Sequence, residues 1–174
     1  GAQVEAFDVR PEVKEQVESL GAKFVEVESD DEDGVGEGGY AKETSDDYKQ
    51  KQQLVMKDHI AKSDLVITTA LIPGKPAPVL IPNSMVDAMK QGSVIVDLAS
   101  ENGGNCESTE PGKVVRKNGV TIDGSLNLPS TMQVHSSQLY AKNVSTLIAH
   151  MSKDGNLNID LDDEIISGAI LIRY

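Results

Sequence analysis

An acidic residue near the start of the chain stands where it could bind the sugar of a nucleotide. Asp8 follows the short apolar-rich run VEAF (residues 4–7), which is typical of a β-strand. A carboxylate at the end of such a strand can accept hydrogen bonds from both hydroxyls of a ribose and repels a 2′-phosphate, so Asp8 favours NAD over NADP. Two other interpretations stay open: Asp8 as a helix N-terminal acid before Pro11, and Arg10 as the residue that binds a 2′-phosphate.

The other side chains that could do covalent or acid–base chemistry are scattered along the chain. The three histidines have no serine, cysteine or carboxylate at a spacing typical of a catalytic triad. The single cysteine, Cys106, cannot form an internal disulfide, and no neighbouring cation activates its thiol. The sequence therefore predicts no catalytic side chain and no metal site. Direct hydride transfer between two nicotinamides requires neither, because no proton moves with the hydride and positioning carries the rate.

The elements around Asp8 are typical of the second half of a dinucleotide-binding unit. From Pro11 the apolar residues Val13, Val17 and Leu20 recur at helical spacing, and the run KFVEV (residues 23–27) is typical of a strand. In a complete unit, a glycine-rich turn about 20 residues before the acid holds the pyrophosphate. We expect that turn, together with the first strand and helix of the unit, to lie upstream of Gly1.

The middle of the chain alternates helices with apolar strands. A helix is predicted over residues 44–61 and a short one over residues 82–90, and buried strands over residues 64–70 and 93–98. Two short strands, residues 113–116 and 120–123, flank the turn signal Asn118-Gly119. This order predicts a three-layer α/β fold with a Rossmann-like parallel sheet, whose ligands bind at the carboxyl ends of the strands. The inward residues predicted for the longer helix are Tyr48, Leu54, Val55 and Ile60.

The last part of the chain has a different pattern. Residues 131–151 can sustain one long helix with an apolar face, and residues 156–174 contain two strand-like pieces. The pattern therefore divides the chain into an α/β part over residues 1–130, a long helix over residues 131–153 and a final part over residues 154–174 that is typical of the beginning of another unit.

Composition excludes several classes of function. The formal net charge is −12, with 28 acidic against 16 basic residues, so the chain is unsuited to binding nucleic acid. Aromatic residues make up 3% of the chain and tryptophan is absent, which disfavours a base-stacking surface. No apolar run approaches the 18 or so residues of a membrane span.

Five segments, taken together and in order, closely resemble the NAD(H)-binding domain I of proton-translocating NAD(P) transhydrogenases. Alanine dehydrogenases are similar in the turns after the apolar strands, but they lack the long loop that contains GGYAKE. The resemblance therefore favours the transhydrogenases. The segments are DVRPEVKEQVESLGAKF (8–24), GGYAKE (38–43), TTALIPGKPAPVLI (68–81), GSVIVDLASENGGNCESTEPGK (92–113) and NLPS (127–130).

The resemblance implies a site and a set of partners. NAD(H) would lie in the cleft between two lobes of a dimeric domain I, and hydride would pass to NADP(H) on a separate domain III. A membrane domain II would couple this transfer to proton translocation, which places the present soluble part on the cytoplasmic or mitochondrial matrix side. Matching residues would be Asp8, Val9 and Arg10 at the adenosine ribose, Gly39 and Tyr40 in a mobile loop over the nucleotide, and Thr69, Ala70 and Leu71 beside the cofactor.

The same resemblance implies that the chain is a portion of a longer domain I. This portion would comprise an incomplete Rossmann lobe over residues 1–130, a connecting helix over residues 131–153 and a piece of the second lobe over residues 154–174. The first strand of the lobe would be central in the sheet, between the strands at residues 4–7 and 64–70, so both would lose ladder hydrogen bonds without it. We expect the remaining portion to be a separate, clipped or disordered segment, and the present piece alone to be inactive. Two alternative functions remain: an alanine-dehydrogenase-like amino-acid oxidoreductase and a non-catalytic nucleotide-binding regulator.

Overall fold

The computed structural model describes residues 1–10, 12–27 and 46–171, which form two compact units, Gly1–Leu126 and Asn127–Tyr174. The first unit is a mixed α/β fold of parallel strands and helices, as the alternating pattern predicts. Its elements are β1 (Glu5–Ala6), α1 (Val13–Ser19), β2 (Lys23–Phe24), α2 (Asp46–Lys62), β3 (Leu65–Thr68), α3 (Asn83–Val86), β4 (Val94–Asp97), β5 (Val114–Lys117) and β6 (Val120–Asp123).

The strands of the first unit lie in two separate sheets. Strands β1 and β2 pair in parallel, and a four-stranded sheet has the order β3-β4-β6-β5. In the larger sheet β3, β4 and β6 are parallel, whereas β5 pairs with β6 antiparallel through the predicted turn at Asn118 and Gly119. Both of those turn residues have positive φ, which suits the asparagine–glycine pair.

The hydrophobic core lies under the four-stranded sheet. Burial of each large aliphatic side chain in such a core contributes about 1.5–3 kcal/mol. Helix α2 covers this core with Met56 and Ile60, and Gln52 lies buried one turn before Met56 on the same face. The buried members of the core are Ile60, Ile81, Met85, Val86, Met89, Ile95, Cys106, Val120 and Ile122.

The inward face predicted for α2 is wrong at Leu54. Its side chain is 71% exposed, whereas Ile60 is buried as expected. The buried residues follow a spacing of four, from Gln52 to Met56 to Ile60, and Leu54 lies on the opposite side of that face. The polar Gln52 takes its place there and donates a hydrogen bond to the Met56 sulfur at 3.5 Å.

The second unit contains the predicted long helix, α4 (Gln133–His150), after a 3-10 turn at Leu128–Met132. Strands β7 (Ser152–Lys153) and β8 (Asn156–Leu157) form a hairpin. The expectation of two strand-like pieces after residue 155 is wrong for the second, which is helix α5 (Glu164–Ala169). Asp163 explains the helix, because its side chain caps α5 by accepting hydrogen bonds from the backbone N–H groups of Ile165 and Ile166.

Candidate functional site

A cleft of about 1040 Å³ opens in the first unit between β1 and β3. This volume is near the upper end of the roughly 300–1,000 Å³ of small-molecule sites. Its walls are residues 5–10 on one side and residues 65–72 on the other, with portions of α2 and residues 75–81 completing the lining. The cleft thus separates the two strands that the sequence predicts to be the neighbours of a further strand.

The backbones of both strands direct alternate groups into this cleft. Val94 and Leu98 donate hydrogen bonds to the carbonyls of Asp64 and Thr68, so the even-numbered residues of β3 face β4. Since backbone groups alternate along a strand, those of Leu65 and Ile67 point to the opposite side. The same rule applies to β1, where the carbonyls of residues 4 and 6 accept hydrogen bonds from β2. The cleft is therefore bordered by two strand edges.

Asp8 and Arg10 form an ion pair where the chain leaves β1. The Arg10 side chain donates from Nε to Asp8 Oδ1 and from Nη2 to Oδ2, both at 2.9 Å, and its backbone N–H also reaches Oδ1 at 2.9 Å. Burial acts to raise the pKa of Asp8, but the hydrogen bonds and charge of Arg10 outweigh it and lower that pKa below its ordinary value. Asp8, Val9 and Arg10 all line the cleft.

Thr69, Ala70 and Leu71 follow β3 on the opposite wall of the cleft. Thr69 and Leu71 are exposed and Ala70 is half-buried between them. The side chain of Asn105 accepts a hydrogen bond from the Ala70 N–H and donates one to the Ala70 carbonyl, each at 2.9 Å. The structure thus brings six of the eight residues suggested by the resemblance to one cleft. The other two, Gly39 and Tyr40, lie outside the described residues.

A buried acid behind this wall was not predicted from the sequence. Asp97 ends β4 and is 0% exposed. Its carboxylate accepts hydrogen bonds from the hydroxyls of Thr68 (3.0 Å) and Thr109 (2.6 Å). It also accepts them from the backbone N–H groups of Ala99, Asn105 and Cys106 at 3.1, 2.8 and 3.0 Å. The available signal was a single acid closing the otherwise apolar run VIVD.

His59 is a titratable side chain in the lining of the cleft, whereas Cys106 is buried in the core. His59 Nδ1 lies 2.6 Å from Glu5 Oε2 and joins α2 to β1, and this hydrogen bond lowers the pKa of Glu5. His150 contacts Asp163 in the second unit. Burial raises the pKa of the Cys106 thiol, which makes it a weaker nucleophile. Within the described ranges, no group of three or more His, Cys, Asp or Glu side chains is placed to hold a metal ion.

Comparison with known families agrees with this architecture. The family described as "Alanine dehydrogenase/PNT, C-terminal domain" matches residues 1–174, the whole chain. The chain belongs to this family. Among its relatives, the NAD(P) transhydrogenase subunit alpha of Haemophilus influenzae is 49% identical over 176 residues, covering 99% of the chain and 34% of that protein.

A solved relative has a similar structure. The transhydrogenase from Sinorhizobium meliloti superposes with a TM-score of 0.70 at 47% identity, covering 96% of this chain and 43% of that one. Alanine dehydrogenase 1 of Staphylococcus aureus is a more distant relative, 30% identical over 164 residues, with 88% of this chain and 42% of that protein covered. The resemblance to transhydrogenases is thus confirmed at the level of the family.

The chain spans less than half the length of these relatives. None of the helices in its described residues is long and apolar enough to cross a membrane.

Proposed function

We propose that this chain is the NAD(H)-binding portion of a transhydrogenase, which in the full protein transfers hydride directly between NAD(H) and NADP(H). The observation that carries the proposal is the placement of Asp8–Arg10 and Thr69–Leu71 on opposite walls of one cleft. The high identity to transhydrogenase alpha subunits supports it over other members of the family. Proton translocation across a membrane, a membrane domain and a homodimeric state belong to the same proposal.

The cleft can be divided into two zones, one between the strands and one at the rim, which would hold different groups. Between β1 and β3 both walls are strand edges, and the exposed side chains of Leu65 (55%) and Ile67 (58%) add apolar surface there. A further strand inserted in this zone would pair with both edges and join the two sheets into one. The rim beyond the strands, formed by residues 8–10 and 69–72, stays open for a nucleotide.

The residues of the rim suit NAD(H). A carboxylate can accept about four hydrogen bonds, so Asp8 can receive a ribose hydroxyl while it holds Arg10. Arg10 is already bound at two points to Asp8, which keeps its guanidinium beside a negative charge rather than directed at a 2′-phosphate. This pairing favours NAD(H) over NADP(H) and assigns the adenosine end of the cofactor to the β1 wall.

The bound NAD(H) would supply the hydride, and the chain would hold the cofactor in the orientation that the transfer requires. Hydride transfer between nicotinamides moves no proton, so the rim requires no acid or base, and His59 in the lining of the cleft is paired with Glu5. Thr69, Ala70 and Leu71 would contact the cofactor on the β3 wall. NADP(H) would bind to a separate domain of the full protein, which completes the reaction.

Nucleotide titration of the complete NAD(H)-binding domain, without the NADP-binding domain, tests the proposal. We expect NADH to change its nicotinamide fluorescence on binding at lower concentration than NADPH does, and reduction of an NADP analogue only when the NADP-binding domain is present. Preference for NADPH at this cleft would refute the assignment. Oxidation of NADH that depends on pyruvate and ammonia would instead favour the alanine-dehydrogenase reaction, and binding without any hydride transfer would favour a regulator.

A further inference from the structure

We propose that Asn105 and Asp97 are positioning residues that set the conformation of the cofactor-facing strap, Thr69–Leu71. Neither side chain lines the cleft, and both are 0% exposed. They would act on the nucleotide through the strap alone. The inference rests on the proposed function, since it assumes that the strap contacts NAD(H).

The first step is the two-point contact between Asn105 and Ala70. Ala70 lies beyond Thr68, the last residue of β3, where the pairing with β4 has ended. The Asn105 side-chain amide occupies the place of a neighbouring strand. It accepts a hydrogen bond from the Ala70 N–H and donates one to the Ala70 carbonyl, each at 2.9 Å. Its Nδ2 also donates to the Pro78 carbonyl at 2.8 Å, so one side chain contacts both the strap and the segment of residues 75–81.

This contact determines which groups of the strap face the cleft. Both backbone polar groups of Ala70 point toward Asn105, into the protein. If the alternation of β3 continues past Thr68, the polar groups of the two flanking residues, Thr69 and Leu71, face the other side. Their side chains are exposed at the cleft. A bound nucleotide would therefore meet Thr69 and Leu71, while Ala70 serves as the anchor.

The second step is the support of Asn105 by Asp97. Asp97 Oδ2 accepts the Asn105 N–H at 2.8 Å, and Oδ1 accepts the Thr68 hydroxyl at 3.0 Å. One carboxylate thus holds the end of β3 and the residue that anchors the strap two positions later. The backbone carbonyl of Asn105 also accepts hydrogen bonds from the N–H groups of Leu80 and Ile81, which further fixes the position of this residue.

Burial of the polar side chains of Asn105 and Asp97 costs desolvation free energy, which their hydrogen bonds must offset. A hydrogen-bonded buried asparagine adds little net stability compared with a well-packed apolar residue, whereas loss of one partner exposes the full cost of desolvation. An aliphatic side chain at either position would fill space but leave the groups that Asp97 and Asn105 bind without these partners. What an aliphatic side chain could not provide is a donor and an acceptor directed at one peptide, which is the arrangement that fixes the strap.

The variant Asn105→Asp tests the proposal in the full-length protein. It keeps the size of the side chain but replaces the Nδ2 donor with an oxygen that faces the carbonyls of Ala70 and Pro78. We expect NADH to bind roughly tenfold or more weakly, because the competent strap conformation becomes a minority. Binding of 5′-AMP, measured by its displacement of NADH, should change by less than about twofold, since the adenosine end is assigned to Asp8 on the other wall.

The matched control is Asn102→Asp, which makes the same chemical change three residues away in the same loop. The Asn102 side chain is exposed and does not line the cleft, so both affinities should stay as in the unaltered protein. Equal losses of NADH and 5′-AMP binding in Asn105→Asp would show a general structural role and overturn the proposal. So would unchanged NADH binding. Failure of the unaltered protein to bind NADH would refute the proposed function instead.

A second pair of variants keeps the test decisive where Asn105→Asp does not fold. Thr68→Val removes the hydroxyl that donates to Asp97 and preserves the shape of the side chain, whereas Thr68→Ser preserves the hydroxyl. We expect Thr68→Val to weaken NADH binding by about tenfold or more, the lower end of the range for a hydrogen bond to a charged group, without a matching loss for 5′-AMP. Thr68→Ser should restore the affinity. Absence of that rescue would contradict the role of Asp97.

Discussion

The guanidinium of Arg10 holds the carboxylate of Asp8 at two points, with Nε–Oδ1 and Nη2–Oδ2 distances of 2.9 Å. The sequence presents Asp8 and Arg10 as alternative nucleotide ligands, but in the structure they form one ion pair. Asp8 accepts three hydrogen bonds from Arg10, which leaves room for about one ribose hydroxyl on its carboxylate. The position of this pair where the chain leaves β1, on the wall of the cleft, makes it the first target for mutation.

Asp8→Asn should weaken NADH binding by roughly tenfold to a hundredfold, because hydrogen bonds to a charged group contribute about 1.5–3 kcal/mol. Preference for NADH over NADPH should fall as well, since the charge that repels a 2′-phosphate is lost. Fluorescence titration of the complete NAD(H)-binding domain, without the NADP-binding domain, measures both. Asp58→Asn, an exposed site on α2 outside the cleft, is the control and should bind as the unaltered protein does.

Arg10→Ala should raise the pKa of Asp8 toward its ordinary value of 3.8, because Arg10 supplies the hydrogen bonds and the charge that lower it. A lowered pKa means that the pair stabilises the folded protein above the ordinary pKa, and that this contribution is lost as the pH falls through the folded-state pKa. In the variant the folded-state pKa approaches the unfolded value, so this contribution to stability should shrink and the acid-induced loss should be smaller. Carbon-13 NMR of the Asp8 carboxyl across roughly pH 2–6 checks this, and Arg116→Ala should leave the titration unchanged.

Gly104→Ala should destabilise the protein more than Gly103→Ala does. Both glycines have positive φ, which costs a side chain about 1–2 kcal/mol at either position. A Cβ at Gly104 would also lie 2.7 Å from Asp97 Oδ2 and 2.9 Å from Thr109 Cβ, whereas one at Gly103 meets nothing within 4 Å. The extra loss should be about 1–3 kcal/mol by chemical denaturation. Equal losses would mean that the loop moves away from Asp97 at little cost.

Backbone amides of β3 should exchange with solvent in an alternating pattern. The N–H groups of Leu65 and Ile67 point to the cleft, and those of Val66 and Thr68 point to β4, so the first two should exchange faster in this chain alone. In the full-length protein all four should be protected, if a further strand fills the cleft as proposed. Hydrogen exchange followed by NMR or mass spectrometry distinguishes these states. Persistent fast exchange of Leu65 and Ile67 in the full-length protein would contradict the inserted strand.

Much of the fold follows from local patterns in the sequence. The apolar runs around Val66 and Ile95 predict buried parallel strands, and the Asn118-Gly119 pair predicts the hairpin between β5 and β6, both of which the structure confirms. These features are local, because β-branched side chains and turn residues act over a few positions. The wrong inward residue at Leu54 and the missed helix α5 arise where short apolar runs fit more than one periodicity.

The candidate site likewise has features that the sequence indicates and features that only the structure reveals. Asp8 could be identified from the sequence, because its position after a short apolar run already indicates the end of a strand. Local patterns could not show that Asp97 and Asn105 lie behind the strap, or that β1 and β3 face one cleft. These relations join residues up to several tens of positions apart, as with Thr68 and Asp97 or Ala70 and Asn105. The types of the residues come from the sequence, whereas their hydrogen-bond partners depend on tertiary folding, which alone brings distant segments within hydrogen-bonding distance.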